Sequence, residues 1–201
     1  TTIPFDVVDQ LYEPSQDYKY GKGTWSWIVW QDNSMNYDDQ VKYIDLAAAM
    51  DFEYILIDAW WDERIGYEKM EELIDYAKSK GVDVFLWYNS NGVANDAFMT
   101  PLNKMNTAIA RKKEMKWLKE AGVKGLKVDF FGGDKQETMK LYENILSDAN
   151  DLPTPLTESV SWFPQLEFLV FTQMRSAVNP VPVGEIATAP GSVPLHKMVL
   201  K

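Results

Sequence analysis

At 201 residues, with 46% hydrophobic and 25% charged side chains, the chain has the size and composition of one globular domain. A formal net charge of −10 argues against nucleic acid and anionic membranes as partners; the absence of cysteine excludes disulfides and thiolate chemistry, and a single histidine excludes a multi-histidine metal cage. No stretch has the length of a transmembrane helix, and residues 1–20 lack the layout of a signal peptide.

Residues 1–20 read as a polar lead-in containing Pro4 and Pro14. Gly23 to Trp30 reads as a first strand, after which Val41, Ile44 and Ala48 recur at helical spacing. A second strand runs from Phe52 to Trp61 and ends in Asp58-Ala-Trp-Trp-Asp62. Met70, Leu73, Ile74 and Ala77 mark the next helix, which Lys80-Gly81 stops. Val82 to Ser90 is the third strand, followed by the turn-rich Asn89-Ser-Asn-Gly92. A basic helix over Thr107 to Ala121 turns its Lys and Arg residues to solvent, with partners such as Lys116–Glu120. The fourth strand lies within Val123–Gly133, and a fourth helix over Lys135 to Ala149 carries Met139, Tyr142 and Leu146 on one stripe. The alternation breaks after Asp151. Residues 152–201 hold seven of the ten prolines, with Leu166 to Thr172 as a candidate strand and His196 read as a surface residue of the tail.

Strands alternating with helices predict an α/β fold with a parallel sheet. Polar groups recur at the strand ends, as Asp58, Asn89 and Asp129, which favours a (β/α)8 TIM-type barrel over a flavodoxin-like open sheet. Gly132-Gly133-Asp134-Lys135 lacks the spacing and the hydroxyl of a phosphate-binding loop. Four βα units are visible over residues 21–151, so the barrel is expected to be incomplete, with an irregular, Pro-rich part at 152–201.

The fourth strand carries the chemistry. Alternation puts Leu126, Val128 and Phe130 on one face and Lys127 and Asp129 on the other. A cation and a carboxylate at the C-terminal end of a strand, just before a Gly-Gly turn, occupy the place where α/β enzymes build their sites. A structural ion pair inside a barrel fits the same pattern. Eight tryptophans are many for this length; Trp60, Trp61 and Trp87, at strand ends, are candidate stacking walls for sugar rings, or core. Asp58 is a candidate acceptor of two sugar hydroxyls, or a cap on the following turn.

From about Gly21 to Asp151 the chain resembles glycoside hydrolase family 97, in the branch of retaining α-galactosidases and related α-glycosidases. The resemblance is carried by Gly23-Thr-Trp-Ser-Trp27, Tyr54-Ile-Leu-Ile-Asp-Ala-Trp60, Leu86-Trp-Tyr-Asn-Ser-Asn-Gly92 and Lys127-Val-Asp-Phe-Phe-Gly-Gly-Asp-Lys-Gln136. It implies a (β/α)8 catalytic domain cleaving terminal α-hexosides, α-galactosides ahead of α-glucosides, in a periplasmic or extracellular setting. Asp129 matches the family's nucleophile, and Asn89 in place of a glutamate puts the chain on the retaining side. Glu158, in Leu156-Thr-Glu-Ser-Val160, matches the family's acid/base, although the segment that precedes that motif in relatives is missing here. Asp58, Trp60, Trp61, Trp87, Asn89 and Lys127 are then the substrate-binding set. Calcium is a possible cofactor by resemblance alone, most of its glutamate ligands having no counterpart; the substrate partner is an oligosaccharide or α-glycoside. Two other readings stay open: a carbohydrate-binding remnant without turnover, and a hydrolase using Asp58 and Asp129 to hold a hard cation.

Overall fold

The computed structural model describes residues 21–93, 95–133, 135–150 and 170–171. Glu158 and His196, the lead-in at 1–20 and nearly all of 152–201 lie outside the described residues.

Among the described residues five strands, β1 (Gly23–Trp25), β2 (Tyr54–Ile57), β3 (Asp83–Asn89), β4 (Gly125–Asp129) and β5 (Val170–Phe171), form one parallel sheet in the order of the chain. The helices are α1 (Trp27–Trp30), α2 (Tyr37–Ala49), α3 (Trp61–Arg64), α4 (Tyr67–Ser79), α5 (Ala108–Ala121) and α6 (Gln136–Asn150). Several of the helix ends are closed by local caps. Asn36 caps α2 by accepting from the Asp39 amide at 3.0 Å, and Thr107 caps α5 by accepting from the Ala110 amide. Gly81 and Gly122 take left-handed backbone just past α4 and α5. Among the described residues no helix is long and apolar enough to cross a membrane.

Ile55 and Ile57 of β2, Val84, Leu86 and Tyr88 of β3, and Leu126 and Val128 of β4 are buried in one cluster. The same cluster takes Ile44 from α2, Met70, Leu73, Ile74 and Ala77 from α4, Met115 and Leu118 from α5, and Ile145 from α6. All four long helices therefore cover one face of the sheet. A doubly wound sheet places helices on both faces, whereas sequential parallel strands with helices on one side are the βα units of an incomplete TIM barrel.

The opposite face is the barrel interior, and its lowest layer sets two large rings on β2 and β3 between glycines on β1 and β4. Gly23 pairs with Tyr54, and Phe85 with Gly125; the Tyr54 and Phe85 rings pack at 4.6 Å. A Cβ on Gly125 would stand 2.6 Å from the Phe85 ring. Gly125→Ala is therefore expected to cost about 1–3 kcal/mol of stability through overpacking. Urea unfolding of the single variant against Gly125→Ala/Phe85→Leu checks this, with part of the loss recovered in the double variant.

The structure corrects four sequence readings. The first strand stops at Trp25, so Trp27 and Trp30 belong to α1. The break comes at Ser26, whose backbone turns helical and whose buried hydroxyl receives hydrogen bonds from Ser34 at 2.9 Å and Gln40 at 3.0 Å. The second strand ends at Ile57; Trp60 takes a left-handed φ of 73° and Trp61 opens α3. On α6 the buried stripe is Thr138, Ile145 and Ala149, and Leu146 is exposed, because a polar threonine holds a core position. The basic helix has its solvated pair, Lys116–Glu120 at 3.7 Å, but Arg111 and Glu114 are buried. Arg111 pairs with Asp148 at 2.7 Å and donates to the Met105 carbonyl at 2.8 Å. Glu114 accepts from Tyr67 at 2.7 Å and Tyr88 at 2.8 Å, and Lys104 stands 3.3 Å away. Burial, reinforced by that carboxylate, pushes both phenols well above their ordinary pKa.

Candidate active site

Register assembles the site on the interior face. Trp25 pairs with Leu56, Trp87 with Lys127 and Asn89 with Asp129, and Asp58 follows the last residue of β2 with the parity of Leu56. Four parallel strands thus present their C-terminal side chains to one rim.

Lys127 is the hub. Its ammonium lies 3.4 Å from Asp58 Oδ2 and 3.5 Å from Asp129 Oδ2, and 4.3 Å from the centre of the Trp25 ring. Each carboxylate is held alike. Oδ1 accepts from the next backbone N–H, Ala59 at 2.7 Å for Asp58 and Phe130 at 2.8 Å for Asp129. Oδ2 faces Lys127 and an indole N–H from the preceding strand, Trp25 at 2.6 Å for Asp58 and Trp87 at 3.4 Å for Asp129. All three charged side chains are largely enclosed, with 14% of the Asp129 side chain exposed. One cation stands between two carboxylates that each also receive neutral donors, and their remaining lone pairs are left to accept a ligand's hydroxyls.

Phe130 does not continue the apolar face of β4. It takes a left-handed φ of 58° and its ring meets Trp87 edge to face at 5.8 Å. That turn ends the strand and points the Phe130 amide at Asp129.

Three of the residues expected to touch sugar are engaged elsewhere. Trp61 is fully buried, stacked on Trp117 at 5.7 Å, and donates its indole N–H to the Trp87 carbonyl at 2.9 Å; it is core. Trp87 is 1% exposed as a residue, and it reaches the site through its indole N–H to Asp129. Asn89 is buried and spends its side-chain amide on the loop after β3, donating to the carbonyls of Ala97 and Met99 and accepting from Asn91 and Asn95. Asp58, Lys127 and Asp129 come together as expected, and Trp60 stands on the rim beside Phe98.

Sequence reasoning missed Trp25 as the partner of Asp58 and the floor under Lys127. Its parity with Gly23 on β1 was the available signal. Asp62 also went unremarked. Burial raises its carboxyl pKa against the opposing effect of the Thr100 hydroxyl, which donates to it at 2.5 Å.

The family model of glycoside hydrolase 97 matches residues 18–152, two thirds of the chain. The chain belongs to glycoside hydrolase family 97. Among curated members, the retaining α-galactosidase of Bacteroides thetaiotaomicron is 32% identical over 136 residues, covering 59% of this chain and 18% of that protein. A probable retaining α-galactosidase of Streptomyces bingchenggensis is 25% identical over 138 residues, covering 63% of this chain and 20% of its own length. Among solved structures, a β-arabinopyranosidase matches with a TM-score of 0.71 and 65% identity, over 75% of this chain and 24% of that one. The α-galactosidase of Thermus thermophilus, solved in complex with stachyose, matches with a TM-score of 0.51 and 16% identity, over 73% of this chain and 42% of that one, a likeness of fold alone. The family-97 chain thus spans about a fifth of the curated relatives.

Glu158, near which the family resemblance would place calcium, lies outside the described residues. Among the described residues no three His, Cys, Asp or Glu side chains converge as a metal site. Where Asp58 and Asp129 approach each other, the Lys127 ammonium fills the place a hard cation would take.

Proposed function

We propose that this chain is the nucleophile-bearing part of a retaining glycosidase that cleaves terminal sugars of galacto configuration. The observation that carries the reading is the fixed orientation of Asp129, with Oδ1 on the Phe130 amide and Oδ2 toward Lys127 at the C-terminal end of β4. In the first step an Asp129 oxygen forms a bond to the anomeric carbon as the bond to the leaving oxygen breaks, and an acid supplies a proton to that oxygen. In the second step water, deprotonated by the same residue, displaces Asp129, and two inversions give net retention. Asp58 Oδ2 accepts from the Trp25 N–H and faces Lys127, so this carboxylate is engaged as an acceptor and not placed as the donor of that proton. Glu158 is assigned the acid/base role on the family resemblance. Asp58 and Lys127 receive the sugar's hydroxyls beside the Trp25 ring.

Identity to the β-arabinopyranosidase favours a second reading of the substrate. A β-L-arabinopyranosyl unit has the ring stereochemistry of an α-galactosyl unit without its hydroxymethyl group, so one set of hydroxyl contacts serves both. The test is a kcat/KM comparison of aryl α-galactoside, β-L-arabinopyranoside and α-glucoside with the full-length protein. At least one of the first two is expected to exceed the glucoside by about a hundredfold or more, since a site built on a hydroxyl rejects a sugar that misplaces it. The released sugar is expected to keep the substrate's anomeric configuration. Equal use of the glucoside removes the galacto assignment, and an inverted product removes the retaining one.

A further inference from the structure

We propose that Trp60 and Phe98 form the platform on which the leaving group rests, a ring-bearing aglycone such as a second sugar or an aryl group. This rests on the glycosidase reading above. Both residues lie on the rim that carries the charged site: Trp60 is two residues beyond Asp58, and Phe98 is in the loop that follows β3. Their ring centres are 5.9 Å apart and the planes are tilted by 55°.

Phe98 is 72% exposed, and yet its backbone is not left loose. Asn89 donates to the carbonyls on either side of it, Ala97 at 3.1 Å and Met99 at 3.0 Å. Asn95 closes the arrangement, donating to Asn89 Oδ1 at 2.6 Å and accepting from the Ala97 amide at 2.8 Å. Asn89 is the β3 residue in register with Asp129. The strand position next to the nucleophile is therefore devoted to holding a large apolar ring out into water, which costs free energy in the isolated fold.

Trp60 shows a matching sacrifice of stability. Its backbone is left-handed, its amide is anchored to the Thr100 carbonyl at 2.7 Å, and its buried indole N–H has no hydrogen-bond partner. Arg64 stands 5.7 Å from the same ring. Two residues placed at a cost, touching each other at the mouth of the site, supply flat apolar surface with little conformational freedom. The C–H face of a sugar or an aryl ring is the ligand chemistry such a surface takes.

The experiment compares two substrates of the same glycon in the full-length protein, one with an aryl or sugar leaving group and one with fluoride, which has no ring to stack. Phe98→Ala is expected to lower the ratio of kcat/KM for the ring-bearing substrate to that for the fluoride by about three- to tenfold. Phe98→Trp is expected to restore it. An unchanged ratio in an active protein removes the platform and leaves the glycosidase reading standing. A parent protein that turns over none of the galactoside, arabinopyranoside and glucoside removes the glycosidase reading, and the platform with it.

Discussion

Replacing Asp129 with alanine in the full-length protein is expected to lower kcat on aryl glycosides by about 10³-fold or more, the scale seen when an attacking group is removed from an otherwise intact site. The fold is expected to survive. Asp129 ends its strand, its side chain is partly open, and its strongest bond is to its own neighbour's amide at 2.8 Å. Removing the carboxylate also leaves a small space, lined by Lys127 and the Trp87 N–H, where the proposed mechanism puts the attack on the anomeric carbon. Azide fits such a space and needs no general base. Added azide is expected to restore turnover and to give a glycosyl azide of the anomeric configuration opposite to the substrate's. Activity that survives the substitution, or rescue with the substrate's own configuration, contradicts the assignment.

Lys127→Met is expected to be the more damaging change to the fold. Among the described residues the ammonium is the only charged group between Asp58 and Asp129, and its loss leaves two largely enclosed carboxylates facing each other. Breaking a buried pair by removing one partner costs about 3–5 kcal/mol, most of it from the charge left uncompensated. Lys127→Arg, which keeps the charge, is expected to lose much less, and urea unfolding of the parent and both variants reads this directly. An equal deficit in the two variants would mean that the lysine acts through packing on Trp25 and not through its charge. Turnover is expected to fall as well, by about a hundredfold, because Lys127 faces Asp129, the proposed nucleophile, and is proposed to bond a sugar hydroxyl.

How much of this was legible in the sequence varies with the range of the interaction. The helix over Tyr67–Ser79 announced itself, since its four core residues follow the helical period and Lys80-Gly81 closes it. The charged centre was legible for a similar reason: alternation along β4 puts Lys127 and Asp129 on one face whatever surrounds them. Glu114 was not legible. Its partners Tyr67 and Tyr88 come from α4 and β3, so within its own helix it looks like one more solvated charge. The tryptophans mislead for the same cause. Trp60 and Trp61 are neighbours in sequence, but a left-handed residue turns the chain between them, sending one ring to the rim and the other into the core. Asn89 was placed at the right strand end and given the wrong task, because only the fold brings the carbonyls of Ala97 and Met99 to its amide.

The most direct test of the central claim is to trap the glycosyl-enzyme. A 2-deoxy-2-fluoro glycosyl donor with a good leaving group, matched to the preferred sugar, slows both steps but permits the first, so the sugar stays bonded to the nucleophile. After proteolysis and mass spectrometry of the full-length protein, the label is expected on the peptide containing Lys127-Val-Asp129, with fragmentation placing it on Asp129. A label on any other carboxylate would contradict the account.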